Sequence, residues 1–94
     1  MCTMISNTVG VRGAAKGRPG WFGITKATVG FDHPVNGGLE HAVLLDFSNY
    51  DLDAGARVAV ELDLASARAL VQQLTAAMEA AEASGFAPDS EAWR

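Results

Sequence analysis

The sequence is short of several things, and each shortage excludes a class of protein. It has one cysteine, Cys2, in 94 residues. No intrachain disulfide framework can form, and a reducing, cytoplasmic setting is the simplest expectation. Basic residues are scarce: Lys and Arg total 7 against 11 Asp and Glu, for a formal net charge of −4. That balance argues against a general nucleic-acid or anionic-membrane binder, because both need an excess of positive charge. No apolar run approaches the roughly 20 residues that span a bilayer, and the first residues lack the charged-then-apolar pattern of a secretory signal. There is no internal repeat.

What is present is the composition of a globular domain, 49% hydrophobic and 19% charged. The length suits one domain, expected over 1–86 with a short tail at 87–94. A chain this short buries only about 60–65% of the surface exposed when it is unfolded. Its core is small, and association with a second copy would stabilise it.

The clearest pattern is in the second half. Ala67, Leu70, Val71, Leu74, Ala77, Met78 and Ala81 recur at spacings of three and four, one apolar stripe on a helix. Arg68, Gln72, Gln73, Glu79 and Glu82 occupy the other side. Asp63 is a suitable N-cap, and Gly85 suits the left-handed position after the last turn, with Phe86 placed to fold back on Ala81. The helix is predicted over 64–84.

The remainder alternates with period two. Four strands are expected, at about 3–11, 21–31, 39–49 and 56–62. Turn-rich breaks at 13–20, 34–38 and 49–55 separate them. Short connections favour antiparallel neighbours. The predicted fold is α+β: a four-stranded antiparallel meander, β-β-β-β-α, with the amphipathic helix packed on one face.

The face away from the helix carries Phe22, Ile24, Lys26, Leu44, Asp46, Arg57 and Glu61. It is too apolar for a face that simply meets water. Two explanations compete: a homodimer interface, or a shallow small-molecule cleft with the charges supplying specificity. Scattered surface apolar residues are the plain alternative.

Parity makes a second point. Core-facing residues are odd-numbered on both the second and third strands, and paired residues share a face. Setting Phe31 opposite Val43 puts His33 opposite His41, with Asp32 and Glu40 flanking them. Two imidazoles and two carboxylates are suitable acid–base groups near neutral pH. Two histidines without a third ligand do not make a zinc site, so no metal and no cofactor is assigned.

Weaker signals are three. Residues 10–20 hold four glycines and Arg12, Lys16 and Arg18. They read as a hairpin loop rather than a phosphate cradle, since Ala15 and Gly17 break the P-loop pattern. Residues 49–55 read as a turn, lacking the glycine and terminal glutamate of a calcium loop. Met1-Cys2-Thr3 is similar to the start of N-terminal-nucleophile hydrolases of the bile-salt-hydrolase type, over those three residues only. Such enzymes need a larger two-sheet fold.

Met1-Cys2-Thr3-Met4-Ile5, Gly20-Trp21-Phe22, Phe31-Asp32-His33-Pro34-Val35, Glu40-His41 and Arg57-Val58-Ala59-Val60-Glu61-Leu62 together form a further pattern. The chain resembles, over about 1–84, a family of small uncharacterised actinobacterial proteins, a domain of unknown function. The resemblance implies a stand-alone cytoplasmic domain near specialised-metabolite genes and supplies no catalytic residue. The functional expectation is therefore a homodimeric domain that binds a small molecule or acts as an accessory protein. The alternatives are a cofactor-independent enzyme using His33 or His41 with Asp32 or Glu40, and a purely structural interaction domain.

Overall fold

A computed structural model describes residues 5–18, 20–34 and 40–85. Four strands, β1 (Ile5–Gly17), β2 (Gly20–Asp32), β3 (Ala42–Ser48) and β4 (Arg57–Leu62), are followed by one helix, α1 (Leu64–Ala83). The strands form one antiparallel sheet in the order β1-β2-β3-β4. The α+β meander read from the sequence is the fold.

Register follows the alternation of apolar residues. Phe31 pairs with Val43, Val29 with Leu45 and Ala27 with Phe47; Val60 pairs with Leu45 and Val58 with Phe47. These residues share the first face, which Ile5 and Val9 extend on β1. The second face presents Thr28, Gly30 and Asp32 from β2. Its other residues are Ala42, Leu44 and Asp46 from β3 and Arg57, Ala59 and Glu61 from β4. A one-residue slip would exchange these two sets, and that fixes the pairing. The Thr8 and Thr28 hydroxyls meet at 2.9 Å across β1 and β2.

The Gly-rich segment differs from expectation. Instead of a loop, 10–17 continues β1, and Gly13 through Gly17 pair with Ile24 through Gly20 in a hairpin arm that outruns β3. Gly20, at φ +123, serves the turn. Val11 and Arg12 together face the single residue Thr25, a β-bulge. In extended strand, successive amides point to opposite sides, so this segment does not converge its N–H groups on a phosphate. At the other end, β2 passes very close to β1: a Cβ on Gly30 would lie 2.7 Å from the Ile5 carbonyl oxygen.

The 49–55 turn is closed by its own polar groups. Asn49 Oδ1 accepts from the Asp51 N–H (3.2 Å), Asp53 Oδ1 accepts from the Gly55 N–H (2.7 Å), and Asn49 Nδ2 donates to the Gly23 carbonyl (2.9 Å). The last bond ties the turn to the hairpin arm.

The helix forms where its pattern places it. Asp63 caps it, its Oδ1 accepting from the Ser66 N–H at 2.7 Å, and Gly85 follows at φ +84. Its docking is the main correction. The stripe expected to cover the sheet lies open, with Leu70 at 41%, Val71 at 60%, Leu74 at 54% and Met78 at 58% exposure. Ala67 is the one α1 residue that is even half-buried. A single residue, Asp63, joins β4 to α1, and the helix makes only slight contact with its own sheet, through β3. Among the described residues the buried apolar side chains are only Ala27, Ala42 and Ala56.

Candidate functional site

The second face is concave. Leu44 and Asp46 of β3 stand beside Arg57, Ala59 and Glu61 of β4, with Thr28, Gly30 and Asp32 of β2 and Ser6 of β1 completing a shallow cavity of about 300 Å³. Strand parity places these side chains together, and glycine at position 30 keeps the floor open. The register sets the charge pattern as well. Arg57 pairs with Ser48, so its side chain reaches diagonally to Asp46. The guanidinium forks onto that carboxylate, Nε donating to Oδ1 at 3.2 Å and Nη2 to Oδ2 at 2.5 Å. The Asp46 hydrogen bond and charge raise the Arg57 pKa above its ordinary value, so it is a permanent cation here.

Of the seven residues expected on this face, Leu44, Asp46, Arg57 and Glu61 come together in this cavity. Phe22 lines a separate depression with Arg18, Leu52 and Ala56, and Lys26 a third with Thr25, Tyr50 and Asp51. The division follows from the hairpin arm: Phe22 and Ile24 lie on the part of β2 that extends beyond β3. The cavity also uses Thr28, Gly30 and Ala59. Their places on the strands put all three on that face.

His33 and His41 do lie side by side. Their rings stack with centroids 4.5 Å apart and planes at 27°, and His41 stacks in turn on Phe31 at 5.5 Å. His33 Nδ1 is 2.8 Å from the Glu40 main-chain carbonyl. A carbonyl only accepts, so Nδ1 carries the proton, and in the neutral ring Nε2 holds the lone pair. Asp32 accepts from the His33 backbone N–H through Oδ1 (2.7 Å) and lines the second-face cavity, whereas the imidazoles stand on the Phe31 side. Of these four residues, only Asp32 belongs to that cavity. Among the described residues, no three His, Cys, Asp or Glu side chains converge as a metal site would require. Cys2, Phe86 and the tail lie outside the described residues.

The model of a family of unknown function, DUF6295, matches residues 1–87. The chain belongs to that family. No curated protein and no solved structure matches the chain. Membership agrees with the resemblance to a domain of unknown function and assigns no activity to any residue. No helix among the described residues is long and apolar enough to cross a membrane.

Proposed function

We propose that this DUF6295 chain is a small homodimeric binding domain whose ligand occupies the second-face cavity. The observation that carries the reading is the composition of that cavity. Apolar groups (Leu44, Ala59) form its body, and a fixed Asp46–Arg57 fork with Asp32 and Glu61 gives it a polar edge. Its volume falls at the low end for small-molecule sites, which combine an apolar lining with a few oriented polar groups. Three carboxylates against one guanidinium make the lining acidic. The ligand class it suits is a small organic cation with an apolar body. The single cysteine supports a cytoplasmic setting, and binding without conversion is the accessory role.

The test is a pair of amide NMR titrations with benzylamine and benzoate, probes of similar shape and opposite charge. Benzylamine is expected to shift the amides of Thr28, Gly30, Leu44 and Ala59, and Leu44→Trp to abolish those shifts by filling the cavity. Equal responses to both probes, or none on this face, would sink the reading.

A second reading, acid–base catalysis, is favoured by the oriented His33 ring. Its base would be His33 Nε2, with His41 stacked against it. An activity found for the protein that survives His33→Ala/His41→Ala would dispose of it.

A further inference from the structure

We propose that the dimer is built by helix exchange: the apolar stripe of α1 from each copy lies across the first sheet face of the other copy. The proposal deepens the homodimer part of the function proposed above and is independent of the ligand cavity.

Among the described residues, two apolar surfaces stand open. One is the α1 stripe, where Leu70, Val71, Leu74 and Met78 are 41–60% exposed. The other is the β1–β2 part of the first face, where Ile5 (55%), Val9 (50%) and Val29 (41%) are open, while Val43, Leu45, Phe47, Val58 and Val60 are half-buried. Each is the natural cover for the other, yet within a chain the helix barely touches the sheet. A connection as short as Asp63 favours exchange of an element between copies over its return to its own chain. One two-fold contact, made twice, then covers both surfaces.

The dimensions agree. From Leu70 to Met78 the helix advances about 12 Å, and four strands measure about 14 Å across. The area agrees too. The chain exposes 7101 Å², whereas a compact monomer of 9.8 kDa exposes about 5,200 Å². Two copies thus carry an excess of about 3,800 Å² between them, within the range of obligate homodimers at roughly 2,000–5,000 Å². The occupant has to be present whenever the chain is folded, since no large side chain among the described residues is fully buried without it. A second copy of the same chain meets that condition by itself.

The experiment uses the full chain with Cys2→Ser. Sedimentation should give twice the chain mass at micromolar concentration. Chains carrying Leu74→Cys are then refolded together with chains carrying Val29→Cys and oxidised. The expected product is a disulfide between the two kinds of chain. Leu74→Glu should weaken dimerisation by more than about tenfold by placing a charge in the contact, whereas Leu44→Glu on the second face should leave it intact. Leu74→Cys chains linked only to one another would show paired helices and overturn the exchange. A dimer dissolved by Leu44→Glu alone would place the interface on the second face and overturn it as well. Either result leaves the homodimer standing, whereas a monomeric parent chain refutes the homodimer itself. Should Leu74→Glu fail to fold, the cross-link still decides.

Discussion

The ring of His41 lies between two others, 5.5 Å from Phe31 and 4.5 Å from His33, so three rings form one column at the end of β2 and β3. Removing the middle ring breaks two ring contacts; removing His33 breaks one ring contact and the Nδ1 hydrogen bond to the Glu40 carbonyl. His41→Ala is therefore expected to cost about 1–3 kcal/mol in urea unfolding, the worth of two ring pairs. A loss near zero would mean that the stacking carries no stability.

The Asp46–Arg57 pair is expected to matter more to binding than to folding. Its side chains are 28% and 48% exposed, so solvent screens their attraction. A double-mutant cycle of Asp46→Ala and Arg57→Ala should give a coupling of about 0.2–1 kcal/mol in stability. The same substitutions should remove the benzylamine response. A coupling well above that range would assign the fork to folding instead.

Asp63 should give helix content a dependence on acid. Hydrogen bonds from Ser66 lower its pKa below the ordinary 3.8, because they favour the charged carboxylate. A lowered folded-state value means the cap's contribution is complete above the unfolded value and is lost as pH falls through the folded one. Far-UV circular dichroism should show fraying of α1 in that acid window. Asp63→Asn, which still caps, should hold its helix content there, while Asp63→Ala should show reduced helix content at neutral pH.

Gly30→Ala should loosen the first strand. Its Cβ would meet the Ile5 carbonyl at 2.7 Å, main chain against which no rotamer change helps. A loss of about 1–3 kcal/mol is expected from such overpacking. Faster amide exchange at the β1–β2 end should accompany it. Unchanged exchange would show that β1 shifts freely.

The legibility of this chain divides along physical lines. Register was readable because alternation leaves one pairing that keeps Phe31, Val43 and their neighbours on one face. That pairing brought His33 to His41 as the parity argument required. The helix ends were readable because Asp63 and Gly85 act locally on the main chain. The hairpin arm was not, since its strand Gly13–Gly17 is mostly glycine and small residues and carries no alternating pattern to detect.

The sequence by itself determined four strands, one capped helix, and which side of each is apolar, since those follow from periodicity and local capping. Only the tertiary structure decided that the helix leaves its own sheet uncovered and that Leu44, Asp46, Arg57 and Glu61 gather in one cavity without Phe22, Ile24 or Lys26. The reason is the same for both. An apolar stripe specifies that a surface must be covered, but the direction of a one-residue connection and the relative lengths of neighbouring strands specify what lies within reach of it.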